Sequence, residues 1–290
     1  MGKEKEIELR YFERVLDCVL SDDKTYDTKE MWDRRAGAWE KDASDLRKKE
    51  NAERIRVAVE YLTGHGLLGW DCDVVDIGCG LGYFVAAFAR TSRAVLGLDF
   101  SEKMIQHGIK HAEREKLQNT SFRVCDFRTL DIEKEGLAGK FDLAFCSLTP
   151  AINGTKGLKK TIEMSRQYCC NISHLHSSNE FERRVMREVF GRERRDPWTG
   201  HLQQFHAMFN VLLLMGYFPE VYYHRIRQER AINAVPDRIA LFMEQMLPHE
   251  ERTAENAERI LDWMQKHESV ETEIRETCYG YLLWDVRERK

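Results

Sequence analysis

The sequence predicts an α/β protein built on a mainly parallel sheet with helices on both faces, and three observations carry that prediction. First, the β-branched run Val74-Val75-Asp76-Ile77 passes into three glycines at alternate positions, Gly78, Gly80 and Gly82. An apolar stretch from Phe84 to Phe88 follows, which reads as a buried strand, a tight loop and the first turns of a helix. Second, two later strand-like runs also end in an acid, at Asp99 and at Asp126. Third, strand-like and helix-like runs alternate along the chain, and alternation of this kind implies parallel strands joined by crossovers.

Composition sets the outer limits. A chain of 290 residues can bury a sizeable core as one domain with insertions. A formal net charge of -4 leaves no electrostatic footprint for nucleic acid. No apolar run approaches the length of a membrane span, and the first six residues lack a signal peptide's apolar core. Eight scattered cysteines without a Cys-x-x-Cys pair read as buried thiols in a reducing cytoplasm.

The elements follow in order. Phe12, Val15, Leu16 and Val19 recur at helical spacing, so residues 5–20 predict an amphipathic helix. Next comes Met31-Trp32-Asp33-Arg34-Arg35-Ala36-Gly37-Ala38-Trp39. Its rings either anchor the segment to the core or form a flap closing over a ligand. A charged run over 41–50 is a solvated helix face, and a helix from about Asn51 to Leu62 stops at Gly64. After the glycine loop, a strand from Ala94 to Leu98 ends in Asp99. Ser101 caps the helix holding Met104, Ile105 and Ile109. Strands from Ser121 to Cys125 and from Phe141 to Ser147 follow, then a helix over 157–166 and a fifth strand from Gln167 to Leu175. Asn179 with Glu182 starts a helix that ends at Gly191. A helix over 201–215, a strand from Val221 to Arg227, helical residues 236–268 and a strand from Tyr279 to Val286 complete the chain. The organisation expected is a helical front end over 1–50 and a main domain over 51–290, with helical additions at about 177–216 and 236–268.

The loop's ligand can be narrowed. A dinucleotide loop needs a third glycine three positions after the second, for close helix packing, yet Tyr83 stands at that position. No Gly-Lys-Ser/Thr follows, which excludes a phosphate-cradling P-loop. An acid at the end of the second strand, Asp99, suits ribose hydroxyls. Asp76, just before the loop, suits a polar or charged group.

Taken together, the segment Val74 to Phe84, the acids Asp99 and Asp126 and the strand into Pro150 resemble class I S-adenosylmethionine-dependent methyltransferases, over roughly residues 51–175. The resemblance implies a seven-stranded Rossmann-like sheet with an antiparallel last strand and S-adenosylmethionine as cofactor. It implies that Gly78, Gly80 and Gly82 lie under the methionine part and that Asp76 sits beneath its amino group. Asp99 would hold the ribose hydroxyls, with Phe100 and Met104 packing on the adenine. Asp126 would accept from the adenine amine with Phe127 beside the ring, and Ser147 would stand near the sulfonium. The Trp32 to Trp39 segment is similar to the front end of small-molecule members, which makes Trp39 a cofactor neighbour, and the two helical additions lie where such proteins build a substrate pocket or lid.

The expected reaction is methyl transfer to a small-molecule acceptor by positioning and in-line attack. Enzymes that methylate exocyclic base nitrogens carry an Asn/Asp/Ser-Pro-Pro-aromatic turn after the fourth strand. This chain has Ser147-Leu148-Thr149-Pro150. An RNA or protein acceptor docked by the arginines from Arg183 to Arg195 is an alternative, and a cofactor-binding subunit without activity is another. Candidate bases are His174 and His176, which share a strand face with Cys170 by alternation, and His201 and His206 near Asp196 and Trp198. The first group could instead be core residues or metal ligands.

Overall fold

A computed structural model describes residues 3–18, 28–33, 36, 45–152, 154–193, 199–231, 236–267 and 272–288. Seven strands form one sheet: β1 (Asp73–Ile77), β2 (Ala94–Asp99), β3 (Thr120–Val124), β4 (Phe141–Ser147), β5 (Ser165–Asn179), β6 (Glu220–Ala231) and β7 (Thr272–Asp285). Their spatial order is β3-β2-β1-β4-β5-β7-β6. The first five pair in parallel, with Val75 opposite Leu96 on one side and Ala144 on the other. β7 runs against its neighbours. Val286 N–H donates to Gln167 O near one end and His174 meets Tyr279 further along, so numbers fall on β7 as they rise on β5. Tyr222 against Tyr281 and Arg227 against Glu276 give the same sense for β6.

The chain divides into two compact units, Met1–Ser173 with Gly200–His224 and Gly280–Lys290, and His174–Thr199 with Arg225–Tyr279. The first holds helices α1 (Lys3–Cys18), α2 (Asp45–Gly64), α3 (Tyr83–Ala89), α4 (Glu102–Arg114), α5 (Gly154–Met164) and nearly all of the later helix Thr199–Leu214. Its centre explains the unbroken apolar run of β1. Val74 to Ile77 are all buried, because strands flank β1 on both edges and α3 covers a face. The rings of Phe84, Phe88 and Phe145 meet at 4.8–5.6 Å on that face. At the other end of the sheet, buried Asp142 accepts from Asp73 N–H, Arg166 Nε–H and Gln167 Nε2–H at 2.6–2.8 Å. That clamp pins three strands beside the irregularity between Phe141 and Leu143.

The front helix is fixed by an aspartate. Asp17 Oδ1 accepts Thr155 N–H at 2.7 Å, so α1 supplies a cap to the N-terminus of α5, and Lys159 pairs with Glu13 at 3.0 Å.

The second unit has its own core. Phe181, Val185 and Met186 pack with Ile239, Phe242, Leu247, Ile260, Trp263 and Met264, which come from two helices, Pro236–Met246 and Ala254–His267, and the link between them. The helix Glu180–Phe190 starts as the sequence predicts. Asn179 Oδ1 accepts Glu182 N–H at 3.2 Å and Gly191 closes the helix with φ 64°. Strands β5, β6 and β7 run further than the apolar periodicity indicates. Their extra residues include the polar Ser177, Gln228 and Glu276, which apolar periodicity does not mark as strand; Arg227 and Glu276 pair at 3.4 Å across β6 and β7. Among the described residues no helix is long and apolar enough to cross a membrane, and no cysteine is in a disulfide.

Candidate functional site

The site is built where β1, β2 and β4 end. Gly78 N–H and Cys79 N–H both donate to Leu98 O, at 2.7 and 2.9 Å, which ties the glycine loop to β2. Gly78, Gly80 and Gly82 all have positive φ, at 72°, 52° and 74°. Their side-chain spaces differ. A Cβ on Gly78 would fall 1.9 Å from Thr149 Oγ1, so the loop lies directly against the turn after β4. A Cβ on Gly80 would meet nothing within 4 Å, so there the loop backbone faces open space. A Cβ on Gly82 would lie 2.9 Å from Gly108 Cα and 3.0 Å from the Phe122 ring. Gly97 and Gly108 also crowd Phe122, at 2.9 and 2.6 Å. Close packing of helix on strand, which the dinucleotide pattern assigns to position 83, is made here by Gly82, Gly97 and Gly108 around one ring.

Two carboxylates define the polarity. Asp76 is buried and its Oδ2 has no hydrogen-bond partner among the described residues. Burial pushes its pKa up to about 8; the nearby Asp99 charge adds to the rise and Arg54 opposes it. Asp99 Oδ2 accepts Gly80 N–H and Asp99 Oδ1 accepts Ser101 N–H, both at 2.9 Å. Burial raises its pKa and those backbone donors hold it down. The Asp99 side chain is thereby fixed in orientation and still has lone pairs for ligand hydroxyls.

Ser101 caps α4, accepting Met104 N–H at 3.2 Å, and its own Oγ–H donates to Asp33 Oδ1 at 2.5 Å. That bond brings the front-end segment to the loop, where Trp32 packs on a buried cluster of Ala36, Leu81 and Met104. Trp39, Arg34 and Arg35 lie outside the described residues.

The third acid differs from expectation in its company. Asp126 accepts from Arg128 Nε–H and Nη2–H, both at 3.0 Å, and from Arg128 N–H at 3.0 Å. The Arg128 hydrogen bonds lower its pKa. Arg128 in turn stands 5.8 Å from the centre of the Phe100 ring. Phe127 is buried, with Lys160 Nζ 5.2 Å from its ring centre. Lys160 Nζ–H donors reach Phe127 O, Arg128 O and Leu130 O at 2.7–3.2 Å and pin this turn. At the end of β4, Ser147 Oγ is a buried atom with no partner among the described residues, and Leu148 carries φ 51°.

The candidate histidines stand on other elements. His174, buried with its ring edge-on to Tyr279 at 5.5 Å, and exposed His176 belong to the second unit. His201 is partly buried, and burial lowers its pKa, while His206 is exposed and 6.0 Å from Phe12. Asp196 and Trp198 lie outside the described residues. No three His, Cys, Asp or Glu side chains converge as a metal site among the described residues. Arg183, Arg184, Arg187 and Arg192 pair with Glu180, Glu188 and Glu251. Sequence reasoning placed Asp33 in the possible flap without a role of its own, and it missed Arg54 and Arg128. Only Arg128, two residues after Asp126, left a local signal for its pairing.

Comparisons with known proteins agree with this architecture. Residues 69–194 match the family model of a methyltransferase domain. Over 73 residues the chain is 36% identical to a ubiquinone biosynthesis O-methyltransferase of Acinetobacter baumannii, which covers 25% of this chain and 30% of that protein. Over 122 residues it is 28% identical to a 23S rRNA uracil-C5 methyltransferase of Aliivibrio fischeri, covering 42% and 26%. The chain thus spans less than a third of the length of either relative. A solved structure of a candidate methyltransferase from Bacillus halodurans superposes with a TM-score of 0.51 at 13% identity, over 78% of this chain and 97% of that one. Such low identity speaks for the fold alone. Residues 69–194 thus resemble a methyltransferase domain, and the chain shares the Rossmann-like fold of that solved structure.

Proposed function

We propose that the protein transfers a methyl group from S-adenosylmethionine to the O, N or S atom of a small-molecule acceptor. The observation that carries this reading is the buried Asp76 carboxyl, whose Oδ2 has no partner among the described residues, beneath a loop that opens at Gly80. A buried carboxyl oxygen without a partner is costly, and an ammonium placed there relieves that cost. These residues fit the cofactor. Asp76 would hold the amino group, Gly80 would allow close backbone approach, and the oriented Asp99 would take the ribose hydroxyls. Phe100, Met104 and Phe127 would supply apolar surface for the adenine, whose amine would share Asp126 with Arg128.

When bound, the sulfonium supplies an already activated methyl group. The chain's own part is then to orient, to exclude water and to admit one acceptor. Ser147 Oγ, with no partner among the described residues, can hydrogen-bond an acceptor or its water at the end of β4. The front end, residues 1–50, acts in this reading as a cap; the Asp33–Ser101 bond and the packing of Trp32 support that role. The absence of disulfides among described cysteines favours a reducing compartment such as the cytoplasm.

Support for a small acceptor comes from the net charge of -4, the Ser147 to Pro150 sequence and the partial likeness to an O-methyltransferase of ubiquinone biosynthesis. Pairing of the Arg183 to Arg192 side chains with glutamates weighs against their use as a docking surface. Incubating the protein with methyl-labelled S-adenosylmethionine and fractionated cell extract tests the choice. Label should enter the low-mass fraction; label in RNA or protein overturns it.

A further inference from the structure

Residues 125–140 join β3 to β4 and contain no helix among the described residues. They do contain a turn that starts at Asp126. Thr129 N–H and Leu130 N–H both donate to Asp126 O, at 3.1 and 3.0 Å. A lone turn leaves its later carbonyls without helical donors. One ammonium takes them. Lys160 Nζ, on α5, donates to Phe127 O, Arg128 O and Leu130 O at 2.7, 3.2 and 2.8 Å. An ammonium has three donors, so its capacity is filled.

The helix that carries Lys160 is itself held fast. Asp17 Oδ1 accepts Thr155 N–H at 2.7 Å, and Lys159 pairs with Glu13 at 3.0 Å. A Cβ on Gly157 would fall 2.7 Å from Ile152 C, so α5 lies close against the turn after β4. Lys160 thus ties a crossover without a helix to a helix fixed on two sides. Water could satisfy the same carbonyls. A half-buried ammonium adds a fixed position and a charge beside Asp126. The Arg128 hydrogen bonds hold the Asp126 carboxyl below its usual range, and the Lys160 charge adds to that effect.

We propose that Lys160 is the positioning residue for adenine selection: by holding the Asp126–Leu130 turn, it sets the Asp126 carboxylate where it meets the donor's exocyclic amine. The inference rests on the S-adenosylmethionine reading, in which Asp126 faces that amine and Lys160 touches no donor atom. Its consequence is base selectivity, not the methyl transfer step. A carbonyl in place of the amine would set acceptor against acceptor at Asp126.

Calorimetric titration of the full chain with S-adenosylhomocysteine, the donor without its methyl group, and with S-inosylhomocysteine, which carries that carbonyl, tests this. The wild type should prefer the adenine compound by about 10- to 100-fold, the range for a hydrogen bond to a charged group. Lys160→Met should bring the two affinities within about 3-fold of each other, chiefly by weakening the adenine compound. Binding of the inosine compound by that variant would show that it is folded. Lys160→Gln removes the charge and keeps amide donors. It serves if the Met variant does not fold, and its preference should fall as well. Lys159→Met should keep the wild-type preference, since Lys159 pairs with Glu13 instead. A folded Lys160 variant that keeps that preference, or that weakens both compounds equally, overturns the role of Lys160. So does a loss of preference in Lys159→Met, which would assign the effect to α5 at large. A wild type that binds both compounds equally overturns the placement of Asp126 at the amine, and the role of Lys160 with it. A wild type that binds neither overturns the donor reading itself, which is a separate outcome.

Discussion

Burial holds the Asp76 carboxyl at about 8, against about 3.9 for an aspartate in an unfolded chain. Between those values the unfolded state releases a proton that the folded state keeps, so this group lowers stability progressively as pH rises from about 4 to about 8. Asp76→Asn should therefore raise the melting temperature of the cofactor-free chain more at pH 8 than at pH 5, and equal shifts in thermal scans would contradict the assignment. With the cofactor's ammonium beside Asp76, as proposed, binding releases a proton from this group. An ammonium beside Asp76 favours its ionised form, so titrations near pH 7 in buffers of different ionisation heat should differ by the heat of proton transfer. Identical heats would mean that Asp76 does not change its charge. Asp76 and Asp99 were legible in the sequence because each closes a β-branched or apolar run at a strand end. Arg54 was not. It is one of many charges in α2, and only the packing of that helix on α3 sets it apart.

At the scale of elements, the glycine loop separates two duties that its spacing cannot distinguish. Gly78 is held against Thr149, and Gly80 faces open space, though both have positive φ. Gly80→Ala should cost about 1–2 kcal/mol, the left-handed penalty of an L-residue. Gly78→Ala adds a steric conflict with Thr149 Oγ1 and should cost more. Denaturant unfolding of the two variants measures the order, and a larger loss for Gly80→Ala would reverse the assignment. Helix starts were the best-read features here, since Ser101 and Asn179 cap helices through their own side chains. Ends of the late strands were poorly read. They include polar residues such as Gln228 and Glu276, which hydrophobic periodicity does not mark as strand.

For the molecule as a whole, the second unit's separate core has a consequence for cooperativity. Phe242→Ala removes a ring from that core, a change that typically costs about 3–5 kcal/mol. Amide hydrogen exchange should then speed up over 180–190 and 236–267 while β1, β2 and β4 keep their protection. Uniform acceleration would mean that the two units open together. The parallel order was legible because glycines and acids recur at strand ends, and the proposed donor rests on those same residues. The acceptor was not, since methyl transfer from a sulfonium demands position more than any particular side chain. The most direct measurement is a calorimetric titration of the full chain with S-adenosylmethionine, run beside Asp99→Ala and beside NAD. One site per chain that weakens markedly in Asp99→Ala, with NAD binding less tightly, is the predicted result. No binding, tighter binding of NAD, or an Asp99→Ala affinity equal to that of the wild type would contradict it.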